Sequence, residues 1–161
     1  SPTQISLLRG ARSRLGDVYA ADYFGGGYPP PGKSACVDVL VYACREVGLN
    51  LRDEVDKDRS PDYPLRRDNN IDHRWAPNLI VWFRRHANAT RDLQAGDFVF
   101  WNLTGDGVAD HCGVVSNKRG ASGQPLVIHQ FPPECREEDC LERWKVVGRF
   151  RLTARAGKFP K

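Results

Sequence analysis

Cys36 sits where a cysteine could act as a nucleophile. It follows the glycine- and proline-rich run Tyr23-Phe-Gly-Gly-Gly-Tyr-Pro-Pro-Pro-Gly32 and opens an apolar stretch with helical spacing. A thiol in the first turn of a helix faces unpaired backbone N–H groups and the positive end of the helix dipole. Both favour thiolate, the reactive form. The upstream glycines would let a substrate backbone approach closely. Such a thiolate needs a base, and two histidines in the second half of the chain could supply one. His111 opens an apolar run after a loop containing Gly105, Gly107 and Asp110, and His129 lies in the next such run. On neighbouring strands one histidine could act as base and the other could orient it. Taken singly, Cys36 also fits a buried cysteine, His111 a strand-end surface residue, and His129 a hydrogen-bonded core residue.

The elements that would position these residues can be read from periodicity. Ile5, Leu8, Ala11 and Leu15 predict a helix over 3–15 with Thr3 as its N-cap. The 23–32 run excludes regular structure and reads as an ordered loop. Val37, Leu40, Val41, Cys44 and Val47 make the buried face of a helix that begins at Cys36 and stops at Gly48. Ser34 is the expected cap, with Asp38 at the positive end of the dipole. A short helix is expected around Leu51–Val55, and loop over Asn69–Arg74. Pro77 then starts a helix that runs to about His86. After Gly96 the pattern changes to strands at 97–101, 111–116, 126–130 and 144–152. The expected fold class is therefore α+β, with N-terminal helices packed on a C-terminal antiparallel sheet.

Composition agrees with one folded domain over 1–161. The 161 residues are 40% apolar and 27% charged, and 4 Trp, 5 Tyr and 7 Phe can fill a core. No apolar run approaches the ~20 residues of a membrane-spanning helix. The net charge of +4, with signs interspersed, is too mild to argue for nucleic acid. It would suit an anionic polymer such as a cell wall. The chain starts at Ser1 and contains no methionine, as expected of a mature form whose export signal has been removed. Five cysteines leave at least one thiol free. Cys135 and Cys140, close together in a polar stretch, are expected to form a disulfide after export.

A helical cysteine followed by sheet histidines is the layout of papain-like enzymes. The stretch from Tyr23 through Cys36 to Tyr42 resembles the active-site region of the NlpC-like cell-wall cysteine peptidases: tyrosine, a Gly-Gly pair, proline, glycine, then a cysteine opening a helix. Gln94-Ala-Gly-Asp97 leading into Phe98 resembles their Pro-Gly-Asp-Leu strand. Asp110-His111-Cys-Gly-Val-Val resembles their His-Val-Gly-Ile strand, and Val127-Ile-His129 the strand bearing their third polar residue. A bacterial periplasmic branch of unknown function is more similar still. It has Cys-x-Asp-Val-Val, Asn-Ile-Asp-His-Arg and His-x-Gly-Ile-Val-Ser, matched here at Cys36–Leu40, Asn70–Arg74 and His111–Ser116. The usual Asp-Cys-Ser-Gly is replaced by Ala35-Cys36-Val37-Asp38, which bears on peptide specificity rather than on the nucleophile.

The resemblance implies a monomeric, periplasmic or secreted cysteine peptidase or amidase with a papain-like fold. It would act on peptidoglycan peptide without cofactor or metal. Cys36 would attack the amide, His111 would carry the proton, and His129 would orient His111. The Cys36 N–H and the Tyr23 hydroxyl would bind the oxyanion. Asp38, Asp72, His73 and Arg74 are candidates for substrate contact, with Arg74 gripping a carboxylate. Asp72 could instead pair with Arg74 and pin the loop. Cys112 is expected to be a core residue facing away from His111. Three other readings stand beside this one: a zinc set of Cys36, His111, His129 and a cysteine of the 135–140 stretch; an inactive wall-binding module; and a thioester acyltransferase.

Overall fold

The structure, a computed structural model, describes residues 1–153. Residues 154–161 of the expected domain lie outside the described part. Helix α1 spans Pro2–Arg12 and buries Leu7, Leu8 and Ala11. Its N-cap is Ser1, in a reciprocal capping box with Gln4, rather than Thr3. Strands β1 (Val18–Tyr19) and β2 (Lys33–Ser34) flank the glycine–proline loop. Helix α2 (Cys36–Arg45) is the central helix, and every residue in it from Val37 to Val41 is buried. Ser34 does not cap it. Ser34 lies in β2 and its hydroxyl accepts from Gln130 Nε2 at 3.1 Å. The start of α2 is instead fixed from inside the helix, where the Asp38 carboxylate accepts the Ala35 N–H at 2.7 Å.

Helix α3 (Leu51–Lys57), a 3-10 turn (Asp72–Arg74) and helix α4 (Ala76–His86) complete the helical layer. The remaining strands are β3 (Asn88–Ala89), β4 (Phe98–Asn102), β5 (His111–Arg119), β6 (Pro125–Phe131), β7 (Glu134–Glu138) and β8 (Lys145–Arg151). They join β1 and β2 in one sheet of order β2-β1-β7-β6-β5-β4-β8-β3. Every described pairing is antiparallel except β1 with β2. The fold is α+β, as the periodicity implies.

The four expected strands are β4, β5, β6 and β8. Three of the others are only two residues long, too short for any periodicity to register. The fourth, β7, is Glu-Cys-Arg-Glu-Glu, whose charges disguise it as loop. The middle of the sheet is covered on both faces. Phe98, Phe100, Cys112, Val114 and Ile128 face the helices, while Val99, Trp101, Val115 and Val127 face Cys140 and Leu141.

Candidate active site

Cys36 is partly buried and lines a cleft of about 550 Å³, together with Tyr19, Arg67, Arg74, Trp75 and Asp106. The cleft lies at the start of α2, where the helical layer meets the end of the sheet. Trp101 pairs with His111 and Phe100 with Cys112 across β4 and β5. Cys112 therefore points into the core under α2, and His111 points to the opposite face at the very start of its strand. From that end His111 reaches Cys36. The Cys36 thiol is held well below its usual range, first by a hydrogen bond from the Cys112 thiol. Burial opposes this, while a hydrogen bond and charge from His111 and the Cys112 N–H support it. Cys112 is, as expected, a core residue on the face opposite His111. Its thiol and N–H both face the candidate nucleophile.

His111 and His129 are both buried, and His111 Nε2 lies 2.8 Å from His129 Nδ1. Trp101 stacks on His111 with centroids 5.1 Å apart, and Phe131 and Trp144 close on both imidazoles. Space for His129 comes from Gly113. A Cβ there would lie 3.2 Å from His129 Cβ and 2.7 Å from Val127 Cγ1. On its far side His129 Nε2 is 3.3 Å from Glu138 Oε1 and 3.4 Å from Cys140 Sγ. Burial, and next the neighbouring His111, push His129 down to about 4. Cys36, His111 and His129 thus stand in one line, which a thiol nucleophile, its base and an orienting group require.

The match of the chain to a family model is decisive for its kinship. Residues 9–152 fit the family described as "Domain of unknown function (DUF1287)". The chain belongs to the DUF1287 family. The "Uncharacterized protein YijF" of Escherichia coli K12 is 38% identical to this DUF1287 chain over 170 residues, covering 92% of the chain and 82% of the relative. Two solved structures share the fold. A lipoprotein-like protein of the NLP/P60 family from Staphylococcus aureus superposes with a TM-score of 0.56 at 15% identity over 96% of the chain. The chain spans 43% of that protein's length. An N-acetylmuramoyl-L-alanine amidase from Bacteroides uniformis also gives 0.56, at 9% identity, covering 96% of the chain and 100% of the amidase. The expected NlpC-type architecture is the architecture observed.

The residues expected to bind substrate behave differently in this DUF1287 structure. Tyr23 does not line the cleft; its hydroxyl donates to Asp68 at 3.1 Å and accepts from Asn70 Nδ2 at 2.9 Å. The tyrosine beside Cys36 is Tyr19, whose phenol is raised by burial and then by the Cys36 charge. Two tyrosines, Tyr19 and Tyr23, precede the glycines; the resemblance points to Tyr23, whereas Tyr19 is the one that lines the cleft.

The 70–74 segment does wall the cleft, through Ile71 and Arg74, but Asp72 and His73 turn away from it. Asp72 accepts the Arg67 N–H at 2.8 Å and does not pair with Arg74. His73 Nε2 donates to the Gly27 carbonyl at 2.8 Å, an approach that only a glycine at φ +86° permits. Asp38 and Arg74 hold each other. The guanidinium donates to both carboxylate oxygens at 3.0 and 2.8 Å and to the Asp22 carbonyl at 2.7 Å. With its donors so engaged, Arg74 ties the 20–22 loop to α2 rather than waiting for a substrate carboxylate.

Cys135 and Cys140 are both free thiols, on opposite faces of the sheet. Alternation along β7 turns Cys135 into the main core, so the expected disulfide is not present. Nor does the zinc set of the alternative reading assemble among the described residues. Among the described residues the cluster with ligand spacing is His129, Glu138 and Cys140, without Cys36 or His111. Its carboxylate is already engaged by Arg143 Nη1 at 2.8 Å and Arg136 Nε at 3.4 Å. Among the described residues no helix is long and apolar enough to cross a membrane.

Proposed function

We propose that this DUF1287 chain is a cysteine hydrolase, one catalytic domain that cleaves amide bonds in the peptide of bacterial peptidoglycan outside the cytoplasm. The observation that carries the reading is the succession of Cys36, which lines the cleft, His111 and His129, both buried behind it. The Cys36 thiolate attacks the amide carbonyl carbon. An S–C bond forms, and the charge passes to the carbonyl oxygen, which the Cys36 N–H at the start of α2 and the Tyr19 hydroxyl receive. The C–N bond then breaks, and the His111 imidazolium gives its proton to the leaving amine. Water, deprotonated by His111, attacks the thioester carbon. The S–C bond breaks, an acid is released and Cys36 returns to thiolate. His129 holds the His111 ring in line throughout.

Two likenesses support the substrate class. The Bacteroides protein of the same fold is an N-acetylmuramoyl-L-alanine amidase, and the cysteine and histidine stretches resemble the NlpC-like peptidases. The test is digestion of purified peptidoglycan, with mass analysis of the released fragments, by the wild type and by Cys36→Ala. The expected result is new amine and acid termini from the wild type and none from the variant. Equal release by both, or by neither, would overturn the reading.

A further inference from the structure

We propose that Glu138 is the fourth member of this site, a positioning residue that fixes the tautomers of His129 and His111 and places a negative charge behind the His111 imidazolium. This rests on the Cys36–His111 reading above and extends it by one residue. Strand pairing sets the geometry. His129 pairs with Arg136 and Val127 with Glu138, so Glu138 is the diagonal neighbour of His129 on the same sheet face.

Each nitrogen of His129 has a different neighbour, with His111 Nε2 at 2.8 Å from Nδ1 and Glu138 Oε1 at 3.3 Å from Nε2. An ionised carboxylate only accepts, so a hydrogen that His129 directs at Glu138 must sit on Nε2. A neutral imidazole carries one N–H. His129 Nδ1 is therefore bare and accepts from His111 Nε2–H. The remaining His111 nitrogen, Nδ1, is then bare as well, and it faces Cys36. Without Glu138, His129 could carry its proton on Nδ1 instead and donate to His111 Nε2. His111 would then hold its own proton on Nδ1, where it could not accept one from Cys36.

The groups around His129 are consistent with this assignment. His111 faces it from β5, and Glu138 and Arg136 from β7. Cys140, Arg143 and Trp144 come from the segment that follows. Burial keeps His129 neutral near pH 7, so a choice of tautomer has to be made. Burial works against ionisation of Glu138. Even so, His129 and the Arg143 hydrogen bond hold its carboxyl below the usual range. Burial pushes Cys140 up to about 12, so it stays a neutral thiol, 3.4 Å from Nε2, whose S–H and sulfur are a weaker donor and a weaker acceptor than the carboxylate is an acceptor.

Two measurements test the proposal, and neither needs a peptide substrate. The first is the ¹⁵N spectrum of the histidine side chains in the wild-type protein at neutral pH. The expected pattern for His129 is a protonated Nε2 and a bare Nδ1, and the reverse overturns the proposal. The second is the pH profile of Cys36 alkylation by iodoacetamide in the wild type, Glu138→Gln and Glu138→Asp. In Glu138→Gln the rate across the neutral plateau should fall about tenfold, as for loss of one nearby charge, and recover only at alkaline pH. Glu138→Asp keeps the charge and should restore most of the plateau. A purely structural role in β7 would lower the melting temperature and leave the profile unmoved, so an unmoved profile in folded Glu138→Gln rejects the assignment. A wild-type Cys36 that reacts like an ordinary thiol would reject the Cys36–His111 reading and this proposal together. An active wild-type plateau with an unmoved variant would reject Glu138 alone.

Discussion

Cys36 and Cys44 stand on the same helix, about two turns apart, and their thiols are pushed in opposite directions. Cys44 is fully buried among apolar side chains, and burial alone raises it far above the usual thiol range. Burial raises Cys36 too, but there it is outweighed. The Cys112 thiol and N–H and the His111 imidazole all face Cys36, and they stabilise the thiolate more than burial penalises it. Helix propensity and apolar spacing treat the two cysteines alike. What separates them is the end of α2 on which each lies and what the sheet presents there. The opposite directions of the two thiols are set by the meeting of the start of α2 with the start of β5.

Removing the base should narrow the contrast and cost the most activity. In the native protein iodoacetamide should label Cys36 at neutral pH while Cys44 stays unmodified. In His111→Ala, Cys36 should need alkaline pH to react, and hydrolysis should fall by about 10²–10⁴-fold, the usual loss for a positioned base. Labelling followed by peptide mass mapping reads the first effect, and fragment release from peptidoglycan the second. If Cys36 of His111→Ala kept its neutral-pH reactivity, the helix start and Cys112 would suffice, and His111 would not be the group that separates the two cysteines.

The next largest effect should come from the clamp that holds the Cys36 end of α2. The side chains of Asp38 and Arg74 are 0% and 1% exposed. Arg74→Met would leave a buried carboxylate with only the Ala35 N–H. Breaking a buried pair from one side costs about 3–5 kcal/mol. Urea denaturation should report that loss. Asp38→Asn combined with Arg74→Met should recover part of it, because no charge is then stranded. The recovered stability should not restore the reactivity of Cys36, since the 20–22 loop is no longer tied to α2. A single variant as stable as the wild type would mean that the ion pair is not what fixes the helix start.

Much of this arrangement is legible in the chain alone, for identifiable reasons. Val37, Leu40, Val41 and Cys44 mark α2 because one face of it is apolar, and Cys36 then falls at its first turn. His111 stands out because it opens an apolar strand, and His129 because it interrupts one. The DUF1287 fold class follows from the switch of period after Gly96. Glu138 and Tyr19 are not legible in the same way. Glu138 belongs to a charged run that reads as a solvated loop, and only its register against β6 brings it to His129. Tyr19 lies in a two-residue strand, and nothing local tells it from Tyr23. The roles of Asp72, His73 and Arg74 are hidden for another reason. Polar residues in a loop look available for a ligand until the backbone groups that engage them, at Gly27, Arg67 and Asp22, are placed in space.

The smallest effect on turnover should belong to Cys112, although its thiol is the first of the groups that lower Cys36, and it isolates the part of the contrast that is neither base nor helix. Cys112 is itself pushed well above the usual thiol range, by burial and then by its hydrogen bond to Cys36 and the Cys36 charge, so it is an S–H donor to the Cys36 thiolate at neutral pH. Cys112→Ala removes that donor but keeps the backbone N–H, which also bonds to Cys36. A group whose charged form loses one hydrogen bond titrates higher, so the pH at which Cys36 becomes reactive should rise. The expected shift is about one unit, the lower end of what a single interaction does, and it leaves His111 and the hydrolytic line in place. Alkylation rates followed from pH 4 upward would show it as a displaced lower limb with an unchanged plateau. That pattern differs from Glu138→Gln, where the plateau itself should drop. If Cys112→Ala left the lower limb in place, the helix start and His111 would account for Cys36 alone, and the thiol beneath it would be packing, as Cys44 is.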